Sequence, residues 1–350
     1  MSCLKVCLAI DKSSNSYKTF SISFVLRFVF AKCRYICDKI RKIFMLRIGL
    51  IGCGAWGKYI LRDLKQLGCE VWVVARSERS QNHARSFGAD KIVSHVNDLD
   101  GLAACVIATP TEFRYEYCTT LLNKFPTIPL FVEKPLTNNL AEAQALFALP
   151  NSQNIFVMDK WRYHAGVLKM ASIAKEGVLG KIIGLQLTRV RWGVIHEDAN
   201  TAWHLLPHDI AIAYEILGVF PTPIHAQKDI TKGQIRGMKA NLQVEKDNIW
   251  VHIEVSDRSP IHKVEIKLIG ENGIAILGDS YQNAITIYDT NQTDKEVGKT
   301  QKEIEFVGNM PLYDELAAFV GYVKKELPPP KSNIQEAIQN VAIIEQLLKM

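Results

Sequence analysis

The feature that most restricts this chain is a glycine turn set between a strand and a helix. Leu46 to Ile51 is a short, mostly apolar run, Gly52-Cys53-Gly54-Ala55-Trp56-Gly57 follows at once, and Lys58 to Leu67 carries apolar residues at helical spacing. Each glycine meets a separate steric demand. Gly52 permits the tight turn, Gly54 lets the backbone approach a pyrophosphate, and Gly57 lets the helix pack closely on the strand. The unpaired N–H groups of the helix N-terminus then face the phosphates. The pattern predicts a dinucleotide site built from Gly52, Gly54, Ala55, Trp56 and Gly57.

The second strand, Glu70 to Ala75, ends about 20 residues past the glycines, where a ribose-binding acid is expected for NAD(H). Arg76 and Ser77 stand there instead. With no carboxylate to repel a 2′-phosphate, and with a cation and a hydroxyl to hold it, NADP(H) is favoured over NAD(H). Arg76 has a second use open to it, stacking on adenine, and Glu78 is close enough to confuse the register.

Alternation continues through Lys91-Ile-Val93, Ala103 to Thr109-Pro110, a helical stretch from Phe113 to Leu122, and Leu130-Phe-Val-Glu133-Lys134-Pro135. Strands alternating with helices imply a parallel, doubly wound sheet. Thr109-Pro110-Thr111 and Glu133-Lys134-Pro135 both fall at strand C-termini, the edge where open α/β sheets bind ligands.

Gly52-Cys-Gly54-Ala-Trp-Gly57, Ala108-Thr-Pro-Thr111 and Glu133-Lys134-Pro135, in that order and spacing, resemble the Gfo/Idh/MocA family of NAD(P)-dependent oxidoreductases over essentially all of residues 45–350. The resemblance implies that Thr109 and Pro110 border the nicotinamide ribose and that Glu133, Lys134 and Pro135 lie beside the reactive ring. The expected fold is α/β: an N-terminal Rossmann doubly wound parallel sheet in residues 45–160, then a C-terminal α+β domain in 161–350 with a mostly antiparallel open sheet. Period-2 stretches at Ile182 to Trp192, Ala240 to Val255, Lys263 to Ile269, Gly273 to Leu277, Ala284 to Tyr288 and Glu303 to Val307 supply that sheet. Residues 161–180 read as a helix, and helical Leu312 to Val323 and Ile334 to Leu348 close the chain. A homo-oligomer through the open sheet is expected.

The chemically dense segment is Trp203-His204-Leu-Leu-Pro207-His208-Asp209, leading into an apolar helix that ends at Gly218. Pro207 suits the first turn of a helix, which would set His208 near an N-terminus where the macrodipole keeps the ring neutral. The resemblance aligns His208 with the family's catalytic histidine. Many relatives have an aspartate four residues earlier, where this chain has His204, and Asp209 cannot substitute because helix neighbours point in different directions. Hydride transfer from an alcohol needs a positioned nicotinamide, a base and stabilised oxyanion charge. Lys134 is assigned to orient and polarise the oxygen and His208 to move the proton. Weaker substrate candidates are Trp161, Arg162 and Tyr163 after the domain junction, where Arg162 could hold an anion or form an ion pair, Arg191 and Trp192 on the first sheet strand, and His204 and Asp209 beside His208. Two imidazoles one turn apart, with His196, Glu197 and Asp198, invite a metal reading, but Pro207 argues against a continuous helix through His204 and no metal is expected.

The formal net charge of +6 raises the question of an acidic partner. Residues 1–44 alone carry nine cations against two anions, leaving 33 cations and 34 anions for the rest. The body is thus nearly neutral, with no nucleic-acid or membrane surface expected of it. The leader, residues 1–44, is expected to lie outside the fold, upstream of a natural start at Met45, as an unstructured extension or a misassigned reading frame; a basic amphipathic membrane-surface helix, with Phe20, Phe24, Phe28 and Tyr35 near helical spacing, is the alternative. Cys53, Cys69, Cys105 and Cys118, scattered through the body, suggest reduced thiols and a cytoplasmic protein. The expected activity is a dehydrogenase or reductase acting on the CH–OH group of a sugar, polyol or nucleotide sugar. A non-catalytic NAD(P)-binding sensor of the same fold is the alternative. A methyltransferase using S-adenosylmethionine shares the glycine turn but gives Glu133-Lys134-Pro135 and His208 no role.

Overall fold

The computed structural model describes residues 45–193, 200–279, 282–289 and 301–350. The basic leader lies outside them, as do His196, Glu197 and Asp198 of the metal reading.

Six parallel strands form the first sheet: β1 (Arg47–Ile51), β2 (Glu70–Val74), β3 (Lys91–Val93), β4 (Ala104–Ile107), β5 (Leu130–Glu133) and β6 (Ile155–Met158), in the order β3-β2-β1-β4-β5-β6. Helices α1 (Gly57–Gln66), α2 (Glu78–Ser86), α3 (Arg114–Lys124) and α4 (Leu140–Phe147) alternate with them. Parallel strands covered on both faces must be apolar on both sides. Accordingly Ile107, Leu130 and Val132 pack with Leu121 and Leu146, while Leu50, Val106 and Phe131 pack with Ile60 and Leu64. The strand order reverses between β1 and β4, whose C-terminal ends open the ligand crevice of such a sheet. Helix α2 has no apolar stripe, burying only Ala84, so hydrophobic periodicity gave no sign of it.

The second sheet has eight strands: β7 (Ile182–Trp192), β8 (Thr222–Thr231), β9 (Gln234–Val244), β10 (Ile249–Ser256), β11 (Arg258–Gly270), β12 (Gly273–Leu277), β13 (Ala284–Asp289) and β14 (Gln301–Glu305). Their order is β14-β13-β12-β11-β7-β10-β9-β8, with β7 and β10 parallel and every other neighbouring pair antiparallel. The stretch from Ala240 to Val255 is two strands, because Asn248 turns the chain at φ +53°. Edge strand β8, polar and holding Pro223, was not anticipated. Helix α5 (Ala165–Lys175) starts later than expected, after a 3-10 turn at Lys160–Tyr163.

Helix α6 (Thr201–Leu217) corrects a firmer expectation. It runs unbroken through Pro207, capped by the Asn200 side chain, which accepts from the Trp203 N–H at 3.1 Å. An interior proline costs roughly 3 kcal/mol, yet twelve of the seventeen helix residues are buried, and the Pro207 carbonyl accepts from Asn340 Nδ2 at 3.0 Å. Tertiary burial overrides the local penalty.

Helix α7 (Pro311–Val323) returns to the first sheet, where Phe319 stacks on Phe131 at 4.6 Å between ring centroids. Helix α8 (Ile334–Lys349) packs on α4 and α6, and Val157 N–H donates to the Ser332 carbonyl just before it. Among the described residues no helix is long and apolar enough to cross a membrane.

Candidate active site

The glycine turn is closed behind and open in front. A Cβ on Gly52, which has φ +92°, would lie 2.8 Å from the Ala108 carbonyl oxygen, and one on Gly57 would lie 2.5 Å from that of Gly52. At Gly54 nothing stands within 4 Å. That space adjoins the N-terminus of the ten-residue α1, whose first turn has no acid, so the site fits a pyrophosphate. Helix α2 braces the turn: Cys53 N–H donates to Ser80 Oγ at 3.1 Å, and His83 Nδ1 lies 3.0 Å from the Cys53 carbonyl.

Beyond β2, Ser77 caps α2 by accepting from the Ser80 N–H at 3.2 Å. Arg76 is exposed, its guanidinium 5.8 Å from the Phe113 ring centroid. A cation and a hydroxyl thus occupy the end of the strand that reads the adenine ribose.

Arg114, in the first turn of α3, ties the neighbouring loops together. Its Nε and Nη2 donate to the Thr109 carbonyl at 3.1 and 3.0 Å, and its Nη1 donates to that of Pro135. This fixes Thr109 and Lys134 relative to each other. Thr109 Oγ1 is buried without a hydrogen-bond partner.

Lys134 extends from the end of β5 to α6, where its Nζ donates to the His204 carbonyl at 2.8 Å. Pro207, lacking an N–H, cannot donate to the Trp203 carbonyl, the neighbour of the carbonyl that Lys134 takes. Burial, only partly opposed by Glu133, brings the Lys134 pKa down to about 8.

His208 is the eighth residue of α6, not a first-turn residue, so the macrodipole does not explain its state. Burial, with the charges of Lys134, Arg189, Lys160 and His204, holds its pKa well below 6.5. The ring is neutral as expected, for a different reason. Its Nδ1 is buried without a partner. Trp161 stands between the groups, edge-on to His208 at 6.4 Å and beneath the Arg189 guanidinium at 4.5 Å.

Gly54, Ala55, Trp56, Thr109, Pro110, Glu133, Lys134, Trp161, Arg191, His204 and His208 all border one cleft of about 780 Å³. Gly52 and Gly57 lie behind the turn, and Arg76 and Ser77 beyond β2, so these four do not border the cleft. Four expected substrate residues are elsewhere. Arg162 is buried in an ion pair with Glu215 at 2.9 Å and another with Glu336 at 2.6 Å, the structural alternative considered for it. Tyr163 Oη accepts from the Lys331 N–H at 2.8 Å. Trp192 is 67% exposed at the end of β7. Asp209 is buried on another face of α6 and accepts from Arg189 Nε and Nη2 at 2.9–3.1 Å. Among the described residues no cluster of three or more metal-ligating side chains forms.

Lys160, Arg189, His262 and Glu315 also border the cleft and were missed. Lys160 follows β6 as Lys134 follows β5, so the strand-end rule pointed to it. Its Nζ lies 4.4 Å from the Trp56 ring centroid. Arg189 is two residues before Arg191 on the same strand face. Glu315 interrupts the apolar stripe of Leu312, Leu316 and Phe319, is 1% exposed, and leaves Oε2 unpartnered.

Comparison with known proteins agrees with this geometry. Residues 46–159 match the family model described as the oxidoreductase family, NAD-binding Rossmann fold, GFO_IDH_MocA. The dTDP-3,4-didehydro-2,6-dideoxy-alpha-D-glucose 3-reductase of Actinomadura kijaniata is 25% identical over 145 residues, 39% of this chain and 43% of that protein, so the match spans less than half of the relative. A levoglucosan dehydrogenase solved with NADH and levoglucosan superposes with a TM-score of 0.75 at 14% identity, covering 87% of this chain and 96% of that one. A 3-ketoreductase from Actinomadura kijaniata, solved with TDP-benzene and NADP, gives 0.74 at 15% identity over 87% and 97%. The glycine turn, the two strand-end motifs and the family match agree: residues 46–159 are the NAD-binding Rossmann domain of the Gfo/Idh/MocA oxidoreductase family.

Proposed function

We propose that this chain is an oxidoreductase that uses NADP(H) in preference to NAD(H) and transfers hydride between nicotinamide and a hydroxyl or carbonyl carbon of a sugar, polyol or nucleotide sugar. Residues 45–160 bind the dinucleotide and 161–350 complete the substrate site. The observation that carries the reading is the meeting of Lys134, from a strand end of the first sheet, and His208, from α6, in one cleft beside the open glycine turn.

When bound, the nicotinamide supplies or accepts the hydride. Gly54 and the α1 N-terminus hold the pyrophosphate, Arg76 and Ser77 the 2′-phosphate, and Thr109 Oγ1 offers its unpartnered hydroxyl to the nicotinamide ribose. The side-chain surroundings redistribute the proton chemistry expected from sequence. With a pKa of about 8, Lys134 is mostly ammonium at neutral pH and gives its proton to the carbonyl oxygen during reduction. In the oxidative direction the amine takes the hydroxyl proton. His208, kept neutral, hydrogen-bonds the same oxygen and orients it. We propose that two copies associate through the open face of the second sheet, where Trp250 is 43% exposed.

The test is a fluorescence titration with NADPH and NADH, followed by a screen of sugars, polyols and nucleotide sugars for NAD(P)-linked turnover. NADPH binding with turnover that Lys134→Ala abolishes is expected. Binding with no turnover of any such compound would favour the sensor alternative, which His204 in the aspartate's place keeps open.

A further inference from the structure

The cofactor's phosphates are assigned to the glycine turn on the first sheet, so the cations on the opposite wall of the cleft are left for something else. That wall belongs to β7 and β11. Arg189 and Arg191, two residues apart on β7, and His262 and Val264, two apart on β11, border the cleft together, with Val264 opposite Arg189 in the ladder.

The two arginines are in different states. Arg189 is satisfied: its guanidinium is bidentate on Asp209 and lies over Trp161. Arg191 makes no ion pair with any described residue, and its Nε is buried without an acceptor. Asp257 acts on it electrostatically. Both oxygens of that carboxylate are already engaged, however, by Arg236 Nε at 2.7 and 2.9 Å and by Thr201 Oγ1 at 2.7 Å. Burial and the neighbouring Arg189 disfavour the Arg191 charge. A guanidinium carries five donors and no acceptor, and a buried unpaired donor costs the full desolvation of that group. Such a cation on a cleft wall calls for an anion that arrives with the ligand.

We propose that Arg191, with His262 bordering the same cleft, binds an oxyanion carried by the substrate, either the diphosphate of a nucleotide sugar or the carboxylate of a sugar acid. The inference rests on the cofactor reading above, which assigns the cofactor's own phosphates to the opposite wall. It excludes a neutral sugar or polyol as the best substrate. Planar, bidentate recognition suits guanidinium and either oxyanion.

The full chain, loaded with NADPH, is titrated calorimetrically with UDP, dTDP, glucuronate and glucose, as wild type and as Arg191→Gln, Arg191→Lys and His262→Ala. We expect UDP or dTDP, or else glucuronate, to bind better than glucose. Arg191→Gln should weaken that anion about 10- to 100-fold, Arg191→Lys and His262→Ala less, with NADPH affinity unchanged in all. Arg191→Gln removes a buried unpaired donor, so its melting temperature should not fall. The diphosphate and carboxylate arms identify the source of the oxyanion. Anion binding that is absent, or equal in wild type and Arg191→Gln, overturns the proposal. Failure of wild type to bind NADPH overturns the cofactor reading instead, and the anion titration on unloaded protein still decides this one.

Discussion

The wall of the cleft supplied by the parallel sheet is made of short loops, whereas the wall supplied by the second sheet and α6 is made of long side chains. On the first, Gly54, Thr109 and Lys134 each sit within three residues of a strand end, and Arg114 ties two of the loops through carbonyls. On the second, Arg189, Arg191, His208 and His262 come from three elements, and their states depend on Asp209, Trp161 and Asp257. Backbone builds the glycine-turn wall and electrostatics builds the second-sheet wall. The two walls should therefore fail differently when altered.

The largest effect should come where the walls meet. Lys134→Ala should lower turnover by about 10²- to 10⁴-fold while changing the NADPH dissociation constant little, as read by steady-state rates and fluorescence titration. In wild type, the rate of carbonyl reduction should fall as pH rises through about 8, since the ammonium is the donor. A profile breaking well below 6.5 would return the proton to His208.

Much of the first wall could be read directly from the sequence, because glycine at positive φ and ligand-binding strand ends are local signals. The second wall could not. His208 was found by resemblance, but its neutrality was assigned to a helix start that Pro207 does not make, since burial of α6 outweighs the proline. Asp209 and Arg162 carried the right charge for a site, and only the fold shows that each spends it on an ion pair. Helix α2, held by caps and by the glycine turn, left no hydrophobic pattern to read.

The next effect concerns stability. Burial, with Glu133 and Asp159 nearby, holds the Glu315 carboxyl well above its ordinary value of 4.5. The folded state therefore favours the proton, a contribution that is complete below about pH 4.5 and lost as pH rises through the folded-state value. Glu315→Gln should melt above wild type by a margin that grows between pH 5 and pH 9, as followed by calorimetry. A constant margin would place the carboxyl in a polar setting. The smallest effect expected is on cofactor choice, where Arg76→Ala should weaken NADPH about tenfold and leave NADH within twofold. Equal losses would mean that Arg76 stacks on adenine.

The central claim is that a dinucleotide enters the cleft over Gly54, and this position allows a clean test because a Cβ there meets no protein atom within 4 Å. NADPH fluorescence titration of Gly54→Val against wild type, with the melting temperature of each, is the direct measurement. The account predicts an unchanged melting temperature and affinity lowered at least 100-fold, as the side chain fills the space meant for the pyrophosphate. NADPH binding to Gly54→Val as tightly as to wild type would contradict it.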